Sequence, residues 1–503
     1  MNWSRWRRGR LSVQVLAFAL YIYLLFAALQ RRAAFPLADL YFRLNPLAAI
    51  SVMLASRAWI SRLALALITL GLTLALGRVW CGWLCPLGTL LEWVRLRSAH
   101  RWAASISPRW RAIKNVLLLV ILAAALFGNL SLLVLDPLTL FTRTMTTVVI
   151  PALNYAVTSV EQAVYPIPFM RPVVSWLEGV LRGPVLPVIQ PVFAQSAVLG
   201  LLFLGILALN GLADRFWCRY LCPLGALLGL LSKVSLLRPS VRPACNRCGQ
   251  CVGACRLDAI DTSRGYEIIP SECTVCLDCL AACPEEGIGF HSQLALAPAN
   301  EYDPTRRQVL TALASSAVGV TVLRIGVATK QPHPQLIRPP GVVDEQEFLT
   351  RCLRCSQCMK ICPTSGLQPA LLEAGLEGLW TPWLVSRLGY CDYGCNACGQ
   401  ICPSSAIPPL DLTQKREMVI GVAVIDRDHC LPWAHGTPCI VCEEMCPTPE
   451  KAIRLEEVTV ADDRGEPAIV QRPYVLQDVC IGCGICEYQC PLEGQAAIRV
   501  YRS

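Results

Sequence analysis

Long apolar runs occupy Leu11–Leu29, Ser61–Leu76, Val116–Leu135 and Ser196–Leu212. Each is about long enough to cross ~30 Å of hydrocarbon as a helix, the second with help from flanking residues. The pattern predicts four spans within residues 1–240. They read as two hairpins of the same sense. The outer turns carry Asn45-Pro46-Leu47 and Asp136-Pro137-Leu138, and the inner ends carry W-C-G-W-L-C-P-L-G at 80–88 and W-C-R-Y-L-C-P-L-G at 217–225. The outer segment 139–195, rich in Pro and poor in charge, is expected to lie against the membrane surface. A further apolar run follows Arg306-Arg307 and ends at Leu323, so residues 301–330 are expected to form a fifth span.

Two hairpins of one sense place both motifs on one face, where a pseudo-twofold can gather Cys81, Cys85, Cys218 and Cys222. The i, i+4 spacing predicts both thiols of a motif on one helix face, with the following Pro turning the backbone. That arrangement suits a redox or metal site. The plainer alternative is small cysteines packing helix ends.

Composition sharpens this division. The chain has 503 residues, 54% of them hydrophobic, a net charge of +9 and 28 cysteines, and its mean hydropathy is +0.46. The excess positive charge flanks the apolar runs instead of forming a stripe on a soluble fold, which excludes a nucleic-acid partner. Residues 331–503 are acidic and suit a water-exposed domain that meets a basic partner. Arg5, Arg7, Arg8 and Arg10, with the basic loops 95–114 and 214–242, place the N-terminus inside. None of the five histidines lies in an expected span and no Cys-x-x-Cys-His occurs, so intramembrane bis-His haem and covalent haem are both excluded.

The remaining cysteines form six quartets. Cys245, Cys248, Cys251, Cys255 and Cys273, Cys276, Cys279, Cys283 have the spacing of a bacterial two-cluster ferredoxin within residues 241–295. In that pattern three thiols of one motif join the last of the other: Cys245, Cys248, Cys251 and Cys283 on one cubane, and Cys273, Cys276, Cys279 and Cys255 on the second. Arg256 stands where Pro usually follows the fourth Cys. Residues 335–503 hold Cys352, Cys355, Cys358, Cys362; Cys391, Cys395, Cys398, Cys402; Cys430, Cys439, Cys442, Cys446; and Cys480, Cys483, Cys486, Cys490. Six 4Fe-4S clusters are expected, with a nested pairing of the last four quartets, outer with outer and middle with middle. Zinc is the weaker reading, since its sites favour two separated Cys pairs. The fold class expected is an α-helical polytopic membrane domain plus α+β ferredoxin-like 4Fe-4S domains.

Residues 1–290 resemble NapH-type quinol dehydrogenase membrane subunits. Residues 301–503, with the twin-arginine-like segment and Ile337-Arg338-Pro339-Pro340-Gly341, resemble NapG/MauM-type exported ferredoxins, so the chain is similar to a fusion of the two. The paired motif frame also resembles NosR-type and CcoG/FixG-type proteins, whose extra flavin-binding or immunoglobulin-like domains have no room here. A multi-pass protein of a bacterial or archaeal cytoplasmic membrane is expected, and the inner N-terminus with a fifth span puts residues 245–283 on the cytoplasmic side and 335–503 on the extracytoplasmic side. It would link the quinone pool or a cytoplasmic donor to an extracytoplasmic cytochrome or reductase, with quinol dehydrogenase chemistry at the membrane. A quinone and an additional metal at the paired motifs are the further cofactors admitted. The competing class is an assembly or maturation factor that reduces or delivers a metal such as copper.

Overall fold

A computed structural model describes residues 3–28, 37–94, 108–182, 186–187, 189–292, 306–328, 333–461 and 467–502. Arg31, Arg32, His100, Thr305 and much of the basic 95–114 loop lie outside them. The chain divides into two compact units: Met1–Phe26, Leu37–Thr144 and Ala197–Val322 form one, and Ala27–Pro36, Met145–Ser196 and Leu323–Ser503 form the other.

In the first unit the repeat seen in the sequence becomes a pair of matching helix sets. Pro46 and Pro137 each occupy a helix start, where a missing N–H costs nothing. Asn45 caps Pro46–Ser56, its Oδ1 accepting from Leu47 N and Ala48 N. Asp136 does the same with Leu138 N and Thr139 N at the start of Pro137–Thr144. The two caps meet, Asn45 Nδ2 donating to Asp136 Oδ1 across 2.9 Å with both residues fully buried.

Among the described residues one helix, Trp3–Ala27, is long and apolar enough to cross a membrane by length and composition. The expected second to fourth spans appear as shorter apolar helices, Ser61–Leu76, Ala112–Leu126 and Ser196–Gly211. Their ends have local causes. Ser61–Leu65 is a 3-10 turn leading into Ala66–Leu76, and Gly77 and Gly128, with φ of 77° and 76°, stop two of the runs. Residues Arg306–Ala328 form one helix of 23 residues, and Ser316, buried, bonds the Val120 carbonyl at 3.4 Å.

The remainder of the first unit mixes short helices with short strands. Leu237–Val241 pairs antiparallel with Ile288–Ser292, and Ile260–Asp261 with Glu267–Ile268. Ile260, Ile268, Leu277, Leu280 and Ile288 form its small core around Cys251 and Cys279.

The second unit has three further antiparallel pairs: Leu367–Pro369 with Pro382–Leu384, Val422–Ile425 with Ile498–Tyr501, and the long hairpin Ile453–Ala461 with Pro467–Val475. The segment expected to lie against the membrane surface forms helices Ile150–Val164 and Arg171–Leu181. It also joins this unit through side-chain amides. Gln368 Nε2 donates to Val192 O at 2.8 Å, Ala194 N donates to Gln368 Oε1 at 3.2 Å, and Gln195 Nε2 donates to Pro369 O at 2.8 Å. Phe193 enters the apolar core beside Ile337, Phe348 and Leu367.

Candidate functional site

The two W-C-x-x-x-C-P-L-G motifs do not run as regular helix. Trp80–Leu84 and Trp217–Leu221 are π-turns, after which Cys85 and Cys222 adopt extended backbone and cap the helices Pro86–Trp93 and Pro223–Ser232. The expectation of two thiols on one helix face is therefore corrected. A residue before Pro is pushed out of the α region, so the second Cys ends one element and starts the next. Gly88 N donates to Cys85 Sγ at 3.4 Å and Gly225 N to Cys222 Sγ at 3.2 Å.

Two arginines cross between the motifs. Arg215 Nη2 donates to Cys81 O at 3.1 Å and to Gly88 O at 2.9 Å. A Cβ at Gly88 would lie 2.9 Å from Arg215 Nη2, and one at Gly225 would lie 2.9 Å from Arg78 Nη2, so each motif's final glycine makes room for the other repeat's arginine. Both guanidiniums are buried. The charge of Arg78 acts on Cys81, Cys218 and Cys222, and that of Arg215 on Cys218, Cys85 and also Cys276 of the ferredoxin-type segment. Neither arginine was singled out from sequence. The signal was present, since both stand three residues before the first Cys and extend the repeated frame to R-x-W-C-x-x-x-C-P-L-G.

The ferredoxin-type segment is fastened to this frame by polar contacts. Trp83 Nε1 donates to Val275 O at 2.9 Å, Arg78 Nη1 to Ser271 O, and Arg219 Nη2 to Asp258 Oδ2 at 2.9 Å. Arg256, the departure from the usual Pro, pairs with Glu92 at 2.7 Å and Asp278 at 3.0 Å. Glu92 also pairs with Arg10, and Arg7 with Asp278 at 2.7 Å, so the first helix begins against the same surface. Burial alone would raise the Glu92 carboxyl. The Arg10 hydrogen bond and the charges of Arg215, Arg10 and Arg256 outweigh it and hold the group down to about 2.

Four cavities are each lined by four thiols in a three-plus-one set. Cys273, Cys276, Cys279 and Cys255 line the first, together with Arg215 and Arg256. The others belong to Cys352, Cys355, Cys358 and Cys402; Cys430, Cys439, Cys442 and Cys490; and Cys480, Cys483, Cys486 and Cys446. Two further sets follow from which sulfurs act on one another: Cys251 with Cys245 and Cys283, and Cys398 with Cys391, Cys395 and Cys362.

The last four quartets thus exchange their fourth cysteines between consecutive motifs, and the nested pairing expected from sequence is corrected. The reason is local. The strand pair 367–369 with 382–384 returns the chain so that Cys391 meets Cys362, and the hairpin 453–475 returns it so that Cys480 and Cys483 meet Cys446.

The three-plus-one make-up of these sets suits a cluster. Burial pushes Cys273, Cys391 and Cys442 up to about 12 and Cys276 and Cys483 up to about 11, and a neighbouring sulfur or, at Cys276, Asp278 adds to it. Such thiols stay protonated at neutral pH and release their protons on metal capture. Among the described residues no three His, Cys, Asp or Glu side chains converge as they would on a single metal ion. This holds for Cys81, Cys85, Cys218 and Cys222 as well, which the structure brings into one electrostatic neighbourhood without the geometry of a mononuclear site.

A family model described as a 4Fe-4S binding domain matches residues 58–103 and 196–242, the two halves that contain the paired motifs. The chain is 37% identical over 206 residues to the methylamine utilization ferredoxin-type protein MauM of Methylorubrum extorquens, covering 39% of this chain and 89% of that protein. It is 34% identical over 204 residues to the ferredoxin-type protein NapG of Escherichia coli, covering 39% and 84%. It is also 33% identical over 213 residues to the protein NirI of Paracoccus denitrificans, covering 42% of this chain and 25% of that one. No solved structure matches. Over about 39% of its length the chain belongs to the NapG/MauM family of ferredoxin-type iron–sulfur electron-transfer proteins.

Proposed function

We propose that the protein is a membrane-bound electron relay carrying six 4Fe-4S clusters between the quinone pool, or a cytoplasmic donor, and an extracytoplasmic redox partner. The ligand sets are the five four-thiol groups above and, as the sixth, Cys251, Cys245 and Cys283 with Cys248 from the sequence spacing. When bound, the clusters supply single-electron exchange without bond rearrangement.

The observation that carries this reading is the order of the thiol sets in the second unit. Cys358 acts on Cys398, Cys391 N donates to Cys483 O at 2.8 Å, and Cys486 acts on Cys442. The four sets follow one another in a single file, from the Cys352 set through the Cys391 and Cys480 sets to the Cys430 set. A file of closely spaced carriers suits transport over a distance. Stability alone would not require it.

Membrane attachment is supported by Trp3–Ala27 and by exposed apolar side chains on the shorter helices. Leu67, Leu201 and Leu204 are 60%, 70% and 60% exposed, a surface that suits lipid better than water. A cytoplasmic side for residues 245–283 is supported by the basic N-terminal tail, whose Arg7 and Arg10 hold that segment and its neighbours. The bonds that join Gln368 and Pro369 to residues 192–195 support putting the four-quartet domain on the same side as that outer loop. Export through the twin-arginine-like segment fits that assignment.

Redox-titrated EPR of the purified protein with added quinol tests the relay. Quinol-driven reduction is the expected result, and clusters reducible only by dithionite would refute the quinone connection. A C-terminal reporter that behaves as cytoplasmic would refute the topology.

A further inference from the structure

Lys415 is a buried cation for which no described carboxylate is an ion-pair partner. It lies in the helix Leu412–Glu417, which Asp411 starts with a capping box, Asp411 Oδ1 accepting from Gln414 N while Gln414 Oε1 accepts from Asp411 N. That cap fixes the helix so that Lys415 points inward and is 3% exposed. Its Nζ donates to the Asp392 carbonyl at 2.6 Å and sits 5.8 Å from the centre of the Tyr393 ring. Lys114 and Arg10, also buried, have Glu272 and Glu92 as partners. Among the described residues Lys415 has no such ion pair.

An ammonium taken from water costs several kcal/mol unless an anion answers it. The nearby groups that become anionic are sulfurs. Lys415 acts on Cys391 and on Cys483, which belong to two different thiol sets whose loops are joined by the bond from Cys391 N to Cys483 O. A neutral carbonyl and a ring face hold the lysine in place without cancelling its charge.

We propose that Lys415 is a positioning and tuning residue shared by the two middle centres of the file, raising the reduction potential of both. This rests on the reading that the Cys391 and Cys480 sets hold 4Fe-4S clusters. Each such centre gains one electron on reduction, from the 2+ to the 1+ core, with no bond made or broken. The electron comes from a low-potential one-electron donor in titration, or from the neighbouring centre in the relay. The added negative charge is stabilised by the ammonium at both positions. One side chain thereby shifts both central centres in the same direction, which favours an electron's residence in the middle of the file.

The test is an EPR-monitored redox titration of the full chain in detergent, with iron content measured in parallel. Lys415→Gln keeps a donor for the Asp392 carbonyl and removes the charge, Lys415→Met removes both, and Lys415→Arg keeps the charge. The expected result is that Gln and Met shift two midpoint potentials negative by at least a tenfold change in the reduced-to-oxidised ratio, which is about 59 mV for a one-electron couple. Arg is expected to leave them near the parent values, and iron to stay constant. Unchanged potentials in the neutral variants, a shift in one centre alone, or loss of iron in both neutral variants would overturn the assignment. A parent protein lacking the iron or the signals of these two centres would instead overturn the reading on which it rests.

Discussion

Arg215 of the second repeat donates to the Gly88 carbonyl of the first at 2.9 Å. The four thiols of the paired motifs are therefore held in a frame that neither repeat completes alone, with a fixed positive charge contributed across the pseudo-twofold. Arg215→Ala leaves two buried carbonyls without their donor, a cost of about 1–3 kcal/mol for each. It is expected to lower quinol-driven reduction of the clusters at least tenfold while iron content is kept. Arg215→Lys recovers part of this, because an ammonium lacks the planar fork that serves two acceptors. Anaerobic visible spectra during quinol addition read the effect. Cys81→Ser, Cys85→Ser, Cys218→Ser and Cys222→Ser are expected to behave like Arg215→Ala, and full activity in all four would reduce the motifs to helix packing.

Glu92 gives a pH dependence with a defined sign. Its carboxyl falls from the ordinary 4.5 to about 2 in the folded protein, so its contribution is fully present above 4.5 and is lost as pH falls towards 2. The shift corresponds to about 3 kcal/mol. Thermal stability in detergent is expected to show no Glu92-dependent change between pH 5 and 8. Glu92→Gln is expected to lower the melting temperature across that whole range, since Arg10 and Arg256 lose a shared partner. A parent-to-variant difference that vanishes at pH 5 would contradict the depressed carboxyl.

The consecutive exchange of fourth ligands can be separated from the nested one by iron counting. The proposed six cubanes of four irons make a full complement of about 24. Cys352→Ala with Cys402→Ala strikes one thiol set and is expected to remove about four irons, whereas Cys352→Ala with Cys490→Ala strikes two sets and is expected to remove about eight. Nested pairing predicts the reverse order.

Most of the chemistry was legible because cysteine spacing is local. A three-plus-one run such as Cys273, Cys276, Cys279 and the exchanged Cys255 can be recognised without knowing where the chain goes next. Which distant cysteine completes a set depends on strand returns such as 367–369 with 382–384, and those pairs are too short to carry a clear alternation. The apolar runs gave the helices but not their ends, because Gly77, Gly128 and the π-turns interrupt segments whose hydropathy does not change there. Arg78 and Arg215 do not stand out in the sequence, because a basic residue beside a span reads first as a topology signal. Their burial and crossing come from tertiary structure.

The two motif copies differ at the position after the first cysteine, Gly82 in one and Arg219 in the other, and the structure gives this difference a cause. A Cβ at Gly82 would lie 2.3 Å from the Thr274 carbonyl oxygen, so the ferredoxin-type loop can approach the first copy only where no side chain intervenes. At the second copy the long side chain reaches outward, Arg219 donating to Asp258 at 2.9 Å. The pseudo-twofold is thus broken where one non-symmetric domain must be seated on two similar surfaces. Gly82→Ala is expected to cost about 1–3 kcal/mol through overpacking against backbone, and Gly82→Arg, which copies the second repeat into the first, should displace the loop altogether. Proteolysis within residues 245–283 should then accelerate, and the Cys273-set cluster should lose its quinol-linked reduction. Gly71→Ala is the control, since nothing lies within 4 Å of its added Cβ, and it should match the parent protein in both measurements. Equal proteolysis rates in Gly82→Arg and Gly71→Ala would show that the loop is not seated on this glycine.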